Sequence, residues 1–285
     1  MTNTPSVKAI VFDLDGTLYE ETAHFDYYAN RIKDKLPDEK QNLFMRDYQL
    51  AVNFEHPLQI GRIYDVENDL ILVEQNGRII EAYKWNGEPV VKEKLSQLYP
   101  NKITIDYKRM LNIGDLWWVP ISIGAHYGAL KEQSQQAFLE TRDYMMSDQF
   151  KMKPIPGLKD LLEFLYKDIH LTLLTNSPEP DSEVILKKLG INHLFHKKIF
   201  NGKKPVKTKK WFEQLRNEVD VKFSEILSVG DNEANDIKPV SELGCQTIYI
   251  DTYQLGKKTT ASYVVNKMSE AIPIIDFLTI SKIKR

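Results

Sequence analysis

Cysteine is nearly missing. Cys245 is the only one in 285 residues, which excludes an intramolecular disulfide framework and any zinc site built from several cysteines. Its setting, Leu243-Gly244-Cys245-Gln246-Thr247-Ile248-Tyr249-Ile250, places a small side chain where a buried strand begins, and nothing in it activates a thiol. Long apolar runs are missing too. No stretch approaches the ~18 residues of a spanning helix; Val119 to Leu130 comes nearest, and His126 and two glycines interrupt it. The stretch Met1 to Lys8 has no basic region followed by an apolar one, so the expected location is the cytoplasm, with no membrane partner. A dominant charge is absent: 38 Lys+Arg stand against 40 Asp+Glu, a formal net charge of −2. Bulk charge therefore offers nothing to nucleic acid or anionic lipid. With 42% hydrophobic residues the chain is also not disordered as a whole. The histidines lack metal-ligand spacing; His193-x-x-His196 has no acidic or cysteine partner beside it.

The length suggests about two domains. Val7 to Phe12 is an apolar run that ends abruptly at Asp13, the pattern of a buried strand. From Gly157 onward, helical and strand patterns alternate. Helices are expected at 157–167, 182–189, 207–219, 234–243 and 269–278, with strands at 169–174, 226–229 and 246–250. Pro239 and Pro273 fall inside two of these helices, and the one at 234–243 is expected to kink or divide at Pro239. Such alternation means βαβ units around a parallel sheet, whose carboxyl edge faces a ligand crevice.

Residues 20–153 break that rhythm. Helical patterns at 22–36 and 38–53 precede strand-like segments at 60–83, where Asn76-Gly77 marks a hairpin turn. An aromatic-rich stretch at 103–127 and a helix at 130–146 follow. The middle is expected to be an inserted α+β domain, residues 20–153. It interrupts a three-layer α/β/α, Rossmann-like core made of 1–19 and 154–285, with the prolines and glycine of Lys153-Pro154-Ile155-Pro156-Gly157 as hinge. The chain carries 14 Tyr, 12 Phe and 4 Trp. Trp117, Trp118, His126 and Tyr127 either pack this middle domain or stack on a base or sugar.

Four strand ends carry chemistry. Asp13-Leu14-Asp15-Gly16-Thr17 presents two carboxylates at i and i+2, a self-repelling pair that a hard cation would relieve. Thr175-Asn176-Ser177 offers a hydroxyl and backbone N–H groups to a phosphate oxygen. Lys203-Lys204-Pro205 supplies a fixed positive charge. Its continuation through Lys210 reads as the solvated start of a helix, not a nucleic-acid patch. Gly230-Asp231-Asn232-Glu233-Ala234-Asn235-Asp236 adds further acids, of which Asp236 could also favour a following helix N-terminus.

In their order, Asp13-Leu14-Asp15-Gly16-Thr17, Thr175, Lys204 and Asp231 with Asp236 resemble the four motifs of the haloacid dehalogenase-like superfamily. The resemblance implies a Mg²⁺-dependent phosphatase acting on a small phosphorylated metabolite, such as a sugar phosphate or nucleoside monophosphate. Asp13 would be the nucleophile that forms an aspartyl-phosphate, and Asp15 the general acid and base. Asp13, Asp15 (through its carbonyl) and Asp231 would hold Mg²⁺, and Asp236 would orient a metal-bound water. Thr175 and Asn176 would bind the phosphoryl group, and Lys204, directly before Pro205, would neutralise charge. The gap between Asp13 and Thr175 far exceeds the ~30 residues of a βαβ unit, so the resemblance implies a cap inserted between the first two motifs that closes over the site. Family caps at this position are often helical bundles; the expected hairpin departs from that. Halide-removing relatives lack the second aspartate. Phosphonate-cleaving relatives use a cap lysine. Sugar phosphomutases share all four motifs, and a catalytically weak metabolite-binding regulator would keep the fold. Phosphatase is the reading retained, with the mutase as its alternative.

Overall fold

The computed structural model describes residues 6–103, 106, 109–254 and 259–279. The chain divides into two compact units, Met1–Glu21 with Asp148–Arg285, and Thr22–Ser147.

An apolar run buried along its whole length needs cover on both faces, which a parallel sheet between helix layers supplies. The first unit is built on such runs. Strands β1 (Ala9–Phe12), β6 (His170–Leu174), β8 (Ile226–Gly230) and β9 (Gln246–Ile250) form its centre. The short β7 (Lys197–Ile199) and β10 (Tyr263–Val265) form its edges. The order is β10-β9-β8-β1-β6-β7, and every neighbouring pair is parallel. Ala9 and Val11 pack on Phe212 and Leu215 of helix α8 (Thr208–Val219), together with Val240 and Cys245. Ile10 and Phe12 alternate to the opposite face and are equally buried. Helix α6 (Leu158–Leu165) buries Leu158, Leu161, Leu162 and Leu165, the spacing of one helical face. It meets α10 (Met268–Thr279), which also reaches β9 and β10. Helix α7 (Glu179–Leu189) begins with Pro180 in its first turn and ends on the left-handed Gly190. The result is the three-layer α/β/α, Rossmann-like arrangement expected from the sequence.

The helix expected at 234–243, with Pro239 as the place for a kink or division, is divided: the chain forms a π-turn at Glu233–Ile237 and then a four-residue helix α9 (Lys238–Ser241). Pro239 explains the break: it has no N–H to donate, so it fits only the first turn of a helix. The π-turn is capped by the Asn232 side chain, which accepts from the N–H groups of Ala234 and Asn235 at 3.2 Å each. The edge strand β10 was not foreseen, since three residues give too short a pattern. Cys245 is buried, and burial pushes its thiol up to about 12, so it is inert packing. No helix among the described residues is long and apolar enough to cross a membrane.

The second unit joins helices α1 (Ala23–Lys33), α2 (Asp38–Val52), α3 (Lys92–Leu98), α4 (Trp118–His126) and α5 (Lys131–Met146) to a four-stranded antiparallel sheet. Its strands are β2 (Ile63–Asp65), β3 (Leu70–Gln75), β4 (Arg78–Lys84) and β5 (Met110–Asn112), in the order β4-β3-β2-β5. Asn76 and Gly77 turn the β3–β4 hairpin with φ of 54° and 80°, the left-handed pair that a two-residue hairpin loop requires. Ile63, Leu72, Ala82, Leu95 and Met110 share one core. Helix α4 approaches α1 so closely that a Cβ on Gly124 would lie 2.8 Å from Ile32.

Two buried carboxylates organise this unit. Asp47 accepts hydrogen bonds from Trp85 Nε1 (2.8 Å), the Tyr127 hydroxyl (2.5 Å) and Arg46 (2.8 Å). Asp65 accepts from Tyr99 (2.6 Å), Asn68 (2.9 Å) and Arg109 (2.9 Å). Burial alone would raise both pKa values, but these donors outweigh it and hold both carboxyls below their ordinary range. Each therefore contributes stability above the unfolded carboxylate pKa near 4, and that contribution is lost as pH falls through the depressed folded value. Asp47→Ala strands the buried Tyr127 hydroxyl and the half-buried Trp85 N–H and is expected to cost about 2–4 kcal/mol, read as a lower urea midpoint at pH 7. The loss relative to wild type should shrink as the pH is lowered below 4.

Candidate active site

The carboxyl ends of β8, β1 and β6 lie side by side at the middle of the parallel sheet. Crevices at such edges take ligands in open α/β folds. Asp13 follows β1, Thr175 follows β6 and Asp231 follows β8. The Asp13 N–H donates to the Val229 carbonyl at 3.0 Å, so β8 carries the chain one residue past the strand. The chain then turns: the Leu18 N–H donates to the Leu14 carbonyl at 2.9 Å, closing a tight turn. Gly16 has φ of 71°, and a Cβ there would fall 2.2 Å from an Asp231 oxygen. Only glycine lets this turn lie directly against Asp231.

Lys204 reaches the same place from the loop after β7. Its ammonium lies 2.8 Å from Asp13 Oδ1 and 2.6 Å from Asp236 Oδ1. The lysine side chain is only 2% exposed, whereas its neighbour Lys203 faces solvent. The loop is held at several points. Gly202 donates to the Thr175 carbonyl at 2.9 Å, and Asn201 donates to the Ser177 carbonyl at 3.1 Å. Trp211 donates to the Gly202 carbonyl at 2.8 Å. Asn176 spans the Lys204 backbone, accepting from its N–H at 2.7 Å and donating to its carbonyl at 3.0 Å. Asn201 and Lys203 adopt φ of 50° and 55°, left-handed conformations unusual for residues other than glycine.

Asp13, Asp231 and Asp236 each offer a carboxylate oxygen, and the three atoms lie within 4.8 Å of one another. Asp236, expected at the periphery of a metal site, is thus a direct partner of Lys204. The Ser228 hydroxyl donates to its carbonyl at 2.8 Å. Thr175 is buried at the end of β6, and its hydroxyl accepts from the Ser177 N–H at 3.0 Å. Asp15 lies on the loop beyond Asp13. Its Oδ1 accepts from the Tyr19 hydroxyl at 2.5 Å, and its Oδ2 from the Ser177 hydroxyl at 2.6 Å. The side chains of Tyr19 and Ser177 were not foreseen as part of the site. Their sequence signal is positional only: Tyr19 stands four residues after Asp15, and Ser177 two residues after Thr175.

Charge does not balance here. Asp13 and Asp236 share the Lys204 ammonium, and the Asp231 carboxylate stands in the same acidic group. Burial pushes the Asp13 carboxyl up to about 7; Asp236 and Asp15 add to the rise, and Lys204 opposes it. Burial raises Asp236 as well, again against Lys204. For Lys204 burial favours loss of the proton, but Asp13 and Asp236 outweigh it and hold the ammonium charged. An all-oxygen donor set with surplus negative charge in a desolvated place fits a hard divalent cation, which would restore Asp13 to its ionised form.

Acids and a lysine gathered at the carboxyl edge of a doubly covered parallel sheet define an α/β enzyme working at that edge. The chain belongs to the haloacid dehalogenase-like hydrolase family, whose model matches residues 7–244, and it is a hydrolase. Comparison with curated protein sequences finds no match. Among solved structures the chain is similar to the magnesium-bound HAD-hydrolase YfnB from Bacillus subtilis, with 13% identity, coverage of 95% of this chain and 99% of that one, and a TM-score of 0.53. It is also similar to an L-2-haloacid dehalogenase, with 14% identity, 95% and 99% coverage, and a TM-score of 0.50. At such identities the likeness speaks for the fold alone.

A hard divalent cation on this oxygen set is expected to stabilise the protein: at a hundredfold excess over Kd the gain is about 2.7 kcal/mol, visible as a rise in Tm that a chelator reverses. Asp231→Ala should abolish both that rise and the binding heat in calorimetry.

Proposed function

We propose that this chain is a Mg²⁺-dependent phosphatase that hydrolyses a small phosphorylated metabolite, a sugar phosphate or a nucleoside monophosphate, through an aspartyl-phosphate. The observation that carries this reading is the Asp13 carboxylate on the buried Lys204 ammonium at 2.8 Å. A second carboxylate stands two residues on, at Asp15, and Asp231 and Asp236 stand in the same acidic group.

In this reading Asp13 attacks phosphorus. A bond forms from its carboxylate oxygen as the bond from phosphorus to the substrate oxygen breaks, and Asp15 gives that leaving oxygen its proton. Asp15, now a carboxylate, then takes a proton from water. The water oxygen bonds to phosphorus, the bond to Asp13 breaks, and phosphate leaves with Asp15 protonated again. Lys204 stays charged throughout and offsets the negative charge that builds between Asp13 and the phosphoryl oxygens. Thr175 and the N–H groups after β6 bind a phosphoryl oxygen. Asp13, the Asp15 carbonyl and Asp231 would hold Mg²⁺, which supplies charge neutralisation between nucleophile and phosphate. Magnesium in the Bacillus neighbour and the oxygen-only donor set here support that choice.

Asp15 weighs against halide removal. A halide leaves without a proton, whereas an alkoxide leaving from a phosphate ester needs one, so a second acid beside the nucleophile has work only in the ester reaction.

Purified protein should release phosphate from p-nitrophenyl phosphate with Mg²⁺ and lose that activity on chelation. Asp13→Asn is expected to lower kcat by at least about a thousandfold. Turnover independent of metal, or full activity in Asp13→Asn, would overturn the reading, as would halide release from a 2-haloacid without phosphatase activity. A panel of phosphorylated metabolites then identifies the substrate.

A further inference from the structure

The donors on Asp15 serve no purpose that the reaction scheme above has used. Tyr19 is 1% exposed, yet its hydroxyl is directed at Asp15 Oδ1 at 2.5 Å. Ser177 gives its hydroxyl to the other oxygen, Oδ2, at 2.6 Å. Each oxygen of the Asp15 carboxyl thus accepts its own short bond.

Both donors are themselves fixed. Tyr19 follows the tight turn closed by the Leu18 N–H on the Leu14 carbonyl, and that reversal returns its hydroxyl to Asp15. Ser177 is held by its N–H on the Thr175 hydroxyl at 3.0 Å and by its carbonyl, which accepts from Asn201 at 3.1 Å. An aspartate side chain on a loop would otherwise sample several rotamers. A proton donor must sit within hydrogen-bond reach of the leaving oxygen, and an error near one ångström costs heavily in rate.

We propose that Tyr19 and Ser177 are positioning residues for the proton-transfer step: by bonding one to each oxygen they hold the Asp15 carboxyl in a single orientation for delivery to the leaving group. This rests on the phosphatase reading above. Neither residue touches phosphorus or metal in this account; each acts through Asp15. The two bonds could instead serve only to tie the loop after β1 to the loop after β6. The alternatives differ in which substrates suffer, because only an ester with a poor leaving group needs the proton.

The test uses the full chain with Mg²⁺ and two aryl esters. Phenyl phosphate releases a phenolate that needs protonation at neutral pH, and 2,4-dinitrophenyl phosphate releases one that does not. The ratio kcat/KM reports the steps through the first bond cleavage, so slower hydrolysis of the aspartyl-phosphate does not enter it. Tyr19→Phe keeps the buried ring and removes only the hydroxyl; Ser177→Ala does the same for its partner. In each variant kcat/KM for phenyl phosphate should fall about tenfold more than for the dinitrophenyl ester, and by more again in the double variant. Ser177→Thr, which keeps a hydroxyl, should restore much of the loss. Equal falls for the two esters would mean a merely structural tie and overturn the proposal, and so would no fall for either. A wild-type protein that hydrolyses neither ester would overturn the phosphatase reading itself, and the inference with it, which separates the two failures. Melting temperatures within a few degrees of wild type show that the variants are folded.

Discussion

A lysine ammonium without water is tolerable only where opposite charge surrounds it, and Lys204 has Asp13 on one side and Asp236 on the other. Removing either would leave a buried charge under-compensated, which costs far more than the pair returns when intact. The three residues come from separate stretches of chain: the end of the first strand, the loop after β7, and the π-turn beyond β8. The ion pairs therefore tie the active edge of the sheet together, and much nearby structure makes sense as their support. Asn176 grips the Lys204 backbone from both its N–H and its carbonyl. The left-handed Asn201 and Lys203 carry the loop past Gly202, where a Cβ would meet Leu174 at 2.8 Å and the Thr175 carbonyl at 3.0 Å. Backbone conformations of that kind cost of order 1 kcal/mol each and persist where surrounding contacts insist on them.

The same cluster is deliberately left short of positive charge. The Asp13 carboxyl rises to about 7 through burial, with Asp236 and Asp15 adding to the rise against Lys204, a poor condition for a nucleophile. A cation held by Asp13, the Asp15 carbonyl and Asp231, as proposed above, would reverse that condition, so that nucleophile activation and metal binding would become one event. In the reading adopted here, the protein alone is an incomplete electrostatic device. Its lysine is committed to internal pairing, and the additional positive charge that a phosphate dianion needs comes with the metal.

The sheet was legible because its central strands are largely apolar and stop at polar residues: Phe12 gives way to Asp13, Leu174 to Thr175, Gly230 to Asp231. That pattern also points to the edge where chemistry gathers. What escaped reading depends on orientation. Lys203 and Lys204 are identical as letters; burial of one and exposure of the other follow from φ at Lys203 and from the grip of Asn176. Asn176 was expected to offer phosphate an N–H, and its side chain proves to hold the Lys204 backbone. Asp236 was grouped with Asp231 and expected to orient a metal-bound water, and its ion pair with Lys204 was not foreseen. The π-turn, forced by Pro239 and capped by Asn232, brings its side chain inward to Lys204. Tyr19 and Ser177 carry no mark in the sequence that distinguishes them from core packing and turn residues.

The aromatic content of the second unit belongs to the same problem of orientation. Trp117 packs among His24, Phe25, Tyr28 and Phe138. Trp85 and His126 stack at 3.8 Å with ring planes 5° apart. Rings that could have stacked on a base are thus stacked on one another. Their polar edges are committed as well: Trp85 and Tyr127 to Asp47, and His126 to Asp69 at 2.7 Å. A ligand recruiting Trp85 or Tyr127 through those groups would have to leave Asp47, a buried carboxylate, without the donors that keep it ionised. Such an exchange is unfavourable unless the ligand brings equivalent donors of its own. Substrate choice is therefore more economically assigned to residues whose polar groups are not already holding the fold together.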